Sequence, residues 1–329
     1  MKLARFLARR TAQGVLVVLG VVTIVFLLRF VTPGSPIDFV APIDASPELR
    51  RALAEDLGLN EPIYVQYVQY LGGLVQGDMG HSFIRGRPAR AIVFSRLPAT
   101  LELAVAATIV ALVFSIPLGV VSATRRHEPI DYAATGFSLV GISTPNFWLG
   151  IMLIMIVSVS LGLLPTSRRP IGLIPAIEML IFQFETVGIR TWVRHMVLPA
   201  VTLGTYFTAM IVRLTRSGML DQLGKPYVKA ARAKGLPETL VTYKHALRNT
   251  MIPIITVLGL QLGTLIGGAV ITEFVFNWPG LGTLIIDAIR VRDWPIIQGA
   301  LIVVGVGFVV INIAVDALYA RLNPRVSLE

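Results

Sequence analysis

The residues that could do chemistry in this sequence are few and widely spaced. The chain has no cysteine, and its histidines are His81, His127, His195 and His245. Their spacing matches neither HExxH nor any other metal-binding pattern. Gly224-Lys225 is followed by Pro226, so the GxxxxGK[ST] phosphate loop is not met, and G-x-S-x-G is absent. The sequence therefore argues against metal, cofactor or ATP chemistry within this chain.

Two acidic residues, Glu102 and Glu273, lie in or near long apolar segments, where ionisable side chains are candidates for function. Both fall close to an expected outer end, so we expect interfacial anchoring or helix packing, with a functional role inside the membrane as the alternative. Asn312 and Asp316 lie four residues apart and share one helix face. For this pair we expect hydrogen bonding between helices rather than an ion site.

A glycine repeat marks another apolar segment. Gly259, Gly263 and Gly267 recur every four residues, a pattern that lets a second helix approach closely. Packing within the chain is one interpretation. A surface that faces a second subunit or the transport path is the other. Packing is the preferred interpretation, and the polar residues Gln261, Thr264 and Thr272 in the same segment keep the transport-path interpretation open.

Residues 225–249 form a basic stretch between two apolar segments. Its charged residues are Lys225, Lys229, Arg232, Lys234, Lys244 and Arg248, with the single acid Glu238. Pro226 suits the start of a helix, Gly235 suits a left-handed stop, and Pro237 opens a second helix. The sequence therefore predicts a helical hairpin.

The second helix of this hairpin has an expected apolar face formed by Leu240, Tyr243 and Leu247. A basic hairpin of this kind could lie on anionic lipid, could be an ordinary solvated loop, or could insert into a cleft of a cytoplasmic protein. Physical chemistry alone leaves the three open.

The elements around these residues are membrane helices. The chain is 54% hydrophobic and 15% charged, and its mean hydropathy of +0.73 is typical of the membrane class. A span needs about 20 apolar residues, and six stretches qualify. They are residues 11–31, 98–123, 133–161, 196–214, 251–276 and 296–319. We therefore predict an all-α, polytopic integral membrane protein that forms one domain over residues 1–329.

The charges predict the orientation. Six spans place both termini on one side, together with residues 217–250 and the loop that holds Arg125 and Arg126. When Arg213, Arg216 and Asp316 at the neighbouring span ends are included, that side carries the whole net charge of +10. The positive-inside rule makes this side cytoplasmic. Residues 32–97 are then extracytoplasmic, and two short helices are expected there, after Ser46 and after Pro62. A packed cap over the bundle and a docking surface for an external partner remain equal alternatives for this segment.

The motif AARAKG followed by HALRN resembles the cytoplasmic EAA loop of ABC-transporter permeases. Further segments, including RLPATLELA, STPNFWLG, TEFVFNWPGLGTLI and DALYARLNPRV, resemble in order those of the dipeptide/oligopeptide/nickel permease family, and specifically its first permease type. The resemblance covers nearly the whole chain. Lys229 stands at the glutamate position of the EAA pattern and Arg248 at its distal proline position. Residues 162–194 match the family pattern less clearly.

The resemblance implies an ABC importer type I permease in the prokaryotic cell membrane, embedded in the lipid bilayer and without nucleic-acid partners. It implies a homologous second permease, two ATPases that carry ATP and Mg, and an extracytoplasmic solute-binding protein. The coupling-loop residues would be Lys229, Ala230, Ala231, Arg232, Lys234 and Gly235. The expected solute is a dipeptide or oligopeptide, with nickel, glutathione or oligosaccharide as alternatives. A channel or carrier working alone would need polar residues deep in several spans, and a membrane enzyme would need a catalytic constellation.

Overall fold

The computed structural model describes residues 2–31, 37, 41–42, 44–56 and 58–322, and in this part of the chain the regular structure is helical. The helices are α1 (Lys2–Val31), α2 (Pro47–Asp56), α3 (Ile63–Val75), α4 (Ala89–Thr124), α5 (Pro129–Ser143), α6 (Asn146–Leu153), α7 (Leu173–Phe182), α8 (Val187–Leu223), α9 (Pro226–Ala233), α10 (Glu238–Leu240), α11 (Arg248–Val275), α12 (Leu281–Arg290) and α13 (Trp294–Leu322). Two π-helical stretches, Ile154–Ser160 and Val241–Leu247, continue α6 and join α10 to α11.

The two longest helices, α4 and α8, pack side by side at the centre of the bundle. A buried stripe of mostly small residues runs along α4 at every fourth position. It consists of Ala99, Leu103, Ala107, Ala111, Ser115, Gly119 and Ala123. A Cβ on Gly119 would lie 2.5 Å from Thr215 Cβ, and one on Gly204 would lie 2.8 Å from the carbonyl oxygen of Ala107. The contact therefore excludes larger side chains, as is typical of closely packed membrane helices.

The predicted third span, residues 133–161, consists of two helices. The axes of α5 and of the continuous helix formed by α6 and its π-helical end differ by 109°. Thr144, between them, is extended at φ −83° and ψ 124°. Pro145 follows it, and proline disfavours the helical conformation for the residue before it. The bend thus falls at Pro145.

The described parts of α1 and α13 pack together. The first part of α1 and the last part of α13 lie at the same end of the bundle as residues 225–249. Arg10 Nε lies 3.2 Å from Asp316 Oδ2. A Cβ on Gly259 in α11 would lie 1.8 Å from Val315 Cγ1, and α11 begins at Arg248, at the end of the basic stretch. We call this the hairpin end of the bundle and the opposite end the far end.

Four helices of the described residues have the length and composition of a membrane span, and the bent α5–α6 pair would make a fifth. They are Ala8–Val31, Ala89–Thr124, Val187–Leu223 and Trp294–Ala317. Helix α11, 28 residues long, covers the predicted fifth span. The six-span count, the span limits and the side of the termini stay predictions.

The two short helices expected in residues 32–97 are present. Ser46 Oγ accepts a hydrogen bond from the N–H of Leu49 (3.2 Å), as expected for a helix N-cap. Helix α3 packs on α1, where Tyr67 hydroxyl and Thr23 Oγ1 are 2.6 Å apart and the rings of Phe26 and Tyr67 are 5.2 Å apart. This packing agrees with the cap interpretation for α3. The segment as a whole also includes undescribed residues, so the docking alternative stays open.

Candidate functional site

The basic stretch forms the predicted helical hairpin. Helix α9 ends at Ala233, and Gly235 adopts φ +76°. The N–H of Leu236 donates to the carbonyl of Ala231 (3.3 Å), and that of Gly235 to the carbonyl of Arg232 (2.9 Å). These two bonds define a Schellman motif, which requires a left-handed residue at the glycine position. A Cβ on Gly235 would meet no atom within 4 Å, so the backbone conformation, not space, favours glycine here.

The hairpin has a packed side and an exposed side. Val228 and Ala231 are buried against Val241, with Leu223 and Leu236 beside them. The other coupling-loop residues predicted from the sequence have exposed side chains or an exposed backbone, and they are Lys229, Ala230, Arg232, Lys234 and Gly235. Ala231 thus contributes to packing within the hairpin, whereas Lys229, Ala230 and Lys234 form its outer surface.

Arg232 and Glu238 form an ion pair across the turn. Arg232 Nε donates to Glu238 Oε2 (3.1 Å), and Arg232 Nη2 donates to Glu238 Oε1 (2.5 Å). These hydrogen bonds lower the pKa of Glu238 and raise the pKa of Arg232. The pair bridges the two arms of the hairpin, so the charge of Arg232 is neutralised within the hairpin itself.

The second arm presents a different face from the one expected. The predicted apolar face included Tyr243, but Tyr243 is 54% exposed. Val241, Thr242 and Ala246 are buried in its place. The reason is the π-helical geometry of Val241–Leu247, because its wider turn shifts the register away from the α-helical spacing that the sequence pattern assumed.

Tyr227 joins the first arm to the base of α11. Asn249 Nδ2 donates to the Tyr227 hydroxyl (3.0 Å) and to the carbonyl of His245 (3.1 Å). The Tyr227 hydroxyl in turn donates to Gln222 Oε1 (2.8 Å). The asparagine that ends the motif HALRN therefore fixes the hairpin to the helices on both sides.

A buried aspartate, Asp131, holds the helices behind the hairpin. Its side chain is 3% exposed. Arg216 in α8 donates from Nε to Oδ1 (2.6 Å) and from Nη2 to Oδ2 (2.8 Å). Ser122 at the end of α4 donates to Oδ1 (2.6 Å), and the N–H of His127 donates to Oδ2 (3.0 Å). One carboxylate thus joins α4, α5 and α8. Sequence reasoning missed this cluster, since nothing in the local sequence pairs Asp131 with Arg216.

At the far end, Glu102 performs a similar task. Arg169 donates from Nε to Oε2 (3.0 Å) and from Nη2 to Oε1 (2.6 Å), and Trp192 Nε1 donates to Oε2 (3.0 Å). The first N–H of α7, that of Leu173, donates to Oε1 (3.0 Å). Glu102 therefore ties the start of α7 to α4 and α8, which agrees with the packing role expected for it.

Glu273 is fully buried at the same end. Thr100 Oγ1 donates to Oε1 (2.6 Å), and the N–H groups of Gly282 and Thr283 donate to Oε2 (2.7 and 3.2 Å). A carboxylate is stabilised at a helix N-terminus by such donors and by the helix dipole. Glu273 caps α12 and fastens it to α4, so its contacts also match the packing role.

The glycine repeat of α11 divides into two parts. A Cβ on Gly259 would lie 1.8 Å from Val315 Cγ1, and one on Gly263 would lie 2.8 Å from Phe308. These two glycines therefore pack against α13 within the chain. Gly267 is exposed, and a Cβ there would meet nothing within 4 Å.

The polar residues that the sequence analysis singled out in α11 and α13 also make contacts within the chain. Gln261 Nε2 lies 3.5 Å from Met210 Sδ, while the side chain of Thr264 lies outside the described set. Asn312 Nδ2 donates to the carbonyl of Phe308 (2.8 Å), and Asp316 pairs with Arg10. Within the described residues, no group of three or more histidine or acidic side chains could hold a metal ion.

These features together define a polytopic helical membrane component with a rigid basic hairpin at one end. The chain belongs to the family described as binding-protein-dependent transport system inner membrane component, whose model matches residues 115–328. The N-terminal model of the same family matches residues 3–104. Its members are the non-catalytic membrane subunits of ABC transporters, and ATP hydrolysis belongs to separate ATPase subunits.

Curated relatives match along nearly the whole chain. The oligopeptide transport system permease protein AppB of Bacillus subtilis is 41% identical, covering 98% of this chain and 99% of the relative. The dipeptide transport system permease protein DppB of Escherichia coli K12 is 40% identical, covering 98% of both. The glutathione transport system permease protein GsiC of Escherichia coli O6:H1 is 38% identical, covering 95% of this chain and 96% of the relative.

The fold also matches a solved structure. An inward-facing form of the MetNI methionine ABC transporter has a chain that superposes with a TM-score of 0.52 at 17% identity, covering 70% of this chain and 96% of that chain. This likeness shows the fold of an ABC importer permease of type I.

Proposed function

We propose that this permease subunit carries dipeptides or oligopeptides into the cell, driven by ATP hydrolysis in its partner subunits. The observation that carries the proposal is the 41% identity to an oligopeptide permease across 98% of the chain. The dipeptide relative at 40% identity supports the same solute class. Nickel and oligosaccharide remain expectations from the resemblance alone, and glutathione has the weaker support of the 38% identical relative.

The partners we propose are a homologous second permease, two ATPases and an extracytoplasmic solute-binding protein, in a prokaryotic cell membrane. The hairpin is the proposed contact with an ATPase. Its outer surface combines two lysines with the small side chain of Ala230, so a partner's backbone can come close. Its inner side is packed and its turn is closed by an ion pair. A hairpin built in this way would move as a rigid body when the ATPases close.

We further propose six spans with both termini in the cytoplasm. The support is the net charge of +10 on the side of the termini and the hairpin. The ion pair between Arg10 and Asp316 supports this proposal, because an even number of spans requires both termini to lie on the same side of the membrane. Of the three glycines in the repeat, we assign Gly267 to the solute path or the second permease.

The test is transport by the reconstituted complex. The four kinds of subunit are assembled in liposomes, and ATP-dependent uptake of a labelled dipeptide is measured. We expect unlabelled dipeptides and tripeptides to compete, and nickel and maltooligosaccharides to leave uptake unchanged. A complex with a Walker-lysine variant of the ATPases is the control. Uptake of glutathione or nickel in preference to every peptide tested would contradict the peptide assignment.

A further inference from the structure

The hydroxyl group of Tyr227 lies at the junction between the hairpin and the bundle. Tyr227 is in the first turn of α9. Its hydroxyl donates to Gln222 Oε1 (2.8 Å), in the last turn of α8, and accepts from Asn249 Nδ2 (3.0 Å), in the first turn of α11. The carbonyl of His245 lies 3.3 Å away. One hydroxyl group therefore joins the first arm of the hairpin to the helices on both sides of it.

The groups around this hydroxyl belong to a closely packed part of the bundle. Asn249 also donates to the carbonyl of His245 (3.1 Å), so two partners fix the orientation of its amide. The next residue, Thr250, is buried. A Cβ on Gly218 of α8 would lie 2.6 Å from Thr250 Cγ2, which shows that α8 and α11 are in close contact beside the network. The hydroxyl of Tyr227 thus binds the hairpin to a firm base.

The other contacts of α9 define its angle to the bundle less sharply. The side chains that α9 buries, Val228 and Ala231, are small, and apolar burial has no directional preference. The ion pair across the turn joins the two arms to each other rather than to the bundle. A second pair, between Lys225 and Asp221, is largely exposed, and such pairs contribute little. Within the described residues, the hydrogen bonds of Tyr227 are therefore the directional side-chain contacts that hold α9 to both neighbouring helices.

We propose that Tyr227 is a positioning residue for coupling, whose hydroxyl sets the angle at which α9 leaves the bundle. The Schellman motif and the ion pair stiffen the hairpin internally but do not fix it to the bundle. A hairpin that transmits movement must keep its angle under load, and hydrogen bonds resist tilting because their strength depends on direction. The inference rests on the proposed function, since that proposal makes the hairpin the contact with an ATPase.

A second tyrosine of the hairpin provides a matched control. Tyr243 is 54% exposed and Tyr227 is 38% exposed. In the part of the chain that the structure describes, the hydroxyl of Tyr243 has no hydrogen-bond partner. Tyr227→Phe and Tyr243→Phe each remove one hydroxyl group, and only the first change breaks the network. A difference between the two variants therefore reports the network and not the mere loss of a tyrosine.

The first test measures the position of α9 directly. The chain has no cysteine, so spin labels on introduced cysteines report only on the chosen sites. Cysteines replace Ala233 at the end of α9 and Glu128 before α5, both exposed, in the full chain in nanodiscs. Pulsed electron paramagnetic resonance then gives the distribution of distances between the two labels.

The size of the expected change follows from the length of α9. Ala233 lies six residues from Tyr227, about 9 Å along the helix, so a tilt of about 20° moves it by about 3 Å. We expect the distribution to shift or broaden by about this amount in Tyr227→Phe and to stay the same in Tyr243→Phe. An unchanged distribution in Tyr227→Phe would contradict the positioning role.

The second test measures coupling in the reconstituted complex. We expect Tyr227→Phe to lower the number of dipeptides taken up per ATP hydrolysed about fivefold, the factor that corresponds to one hydrogen bond, at unchanged membrane abundance. Tyr243→Phe should keep this ratio. A role in stability alone would lower the abundance and leave the ratio unchanged, and that result would overturn the inference. A shifted distance distribution with a normal ratio would overturn it too, because the angle would then not matter to coupling.

A double variant shows whether Tyr227 and Asn249 act together. Asn249→Ala removes the bonds to Tyr227 and to the carbonyl of His245, so we expect it to lower the ratio at least as much as Tyr227→Phe. Combining the two changes should cause no further loss, because residues of one network are not additive. Losses that multiply would show that the two residues act separately and would refute the network.

The two tests separate this inference from the proposed function. If the complex with the unsubstituted chain takes up no dipeptide, the proposed function fails, whereas the distance measurement still decides whether Tyr227 sets the angle of α9. If that complex takes up dipeptide and Tyr227→Phe changes neither the distances nor the ratio, only this inference fails.

Discussion

Replacing Gly235 by valine tests the link between the hairpin and transport. Gly235 has φ +76° and closes the Schellman motif. A side chain there would touch nothing within 4 Å, so the penalty is one of backbone conformation. Keeping the motif with valine costs about 1–2 kcal/mol. Losing the motif removes two exposed hydrogen bonds and part of the burial of Leu236. That loss also costs about 1–2 kcal/mol. We therefore expect the turn to populate both forms, with the arms displaced in one of them.

The assay compares two activities of the reconstituted complex with the membrane abundance of the chain. Stimulation of ATP hydrolysis by loaded binding protein and uptake of labelled dipeptide should both fall, while membrane abundance stays constant, because the spans do not depend on the turn. Gly224→Val is the matched control. Gly224 ends α8 at φ −80°, where any residue fits, and its Cβ position is 3.6 Å from the nearest atom. Gly235→Asn should keep most activity, since asparagine tolerates the left-handed conformation.

Two results would contradict a coupling role for this turn. If Gly235→Val transports and hydrolyses normally at normal abundance, the turn is an ordinary loop and the hairpin loses its main physical support as the coupling element. If Gly224→Val is as damaging as Gly235→Val, the effect arises from added bulk near the hairpin and not from the backbone conformation of the turn.

Three further outcomes are expected. Fusions after Glu329 should be active only with a cytoplasmic reporter, and fusions within residues 60–90 should be active only with an extracytoplasmic reporter. A C-terminus outside the cytoplasm would overturn the six-span topology. The purified chain alone in liposomes should neither hydrolyse ATP nor move peptide, and turnover at the rate of a complete transporter would refute a purely permease role. Glu273→Ala should destabilise the folded chain by about 3 kcal/mol, because it leaves several buried donors unpaired, and it should lower the melting temperature in detergent. The control is Glu178→Ala at an exposed position, and equal melting temperatures of the two variants would show that the buried carboxylate does not hold α12.

Local signals in the sequence predicted local structure well. The proline, alanine and glycine pattern of residues 226–235 predicted the first arm and its left-handed stop, and the structure confirms both. Ser46 predicted the start of α2 in the same way. These features depend on contacts between near neighbours in the chain, so their residue types carry the information directly.

Contacts between distant parts of the chain were not predicted. The partners Asp131 and Arg216 are 85 residues apart, and nothing in either local sequence pairs them. The side chain of Ala231 points inward and Tyr243 outward because tertiary packing and a π-helical turn decide the register there. The glycine repeat of α11 was recognised, but the longer stripe of α4 was not, since most of its small residues are alanines in a uniformly apolar segment.

The structure also indicates how movement of the hairpin would reach the far end. Ser122 at one end of α4 bonds the Asp131 cluster, and Thr100 and Glu102 near the other end bond the starts of α12 and α7. Between them the small-residue stripe packs α4 directly on the backbone of α8. Sliding one helix past the other would break buried hydrogen bonds and force glycine contacts apart, which is costly in a close-packed interior. Under the proposed function, α4 and α8 would therefore shift together, and a displacement of the hairpin would move α7 and α12 without any change of their local structure.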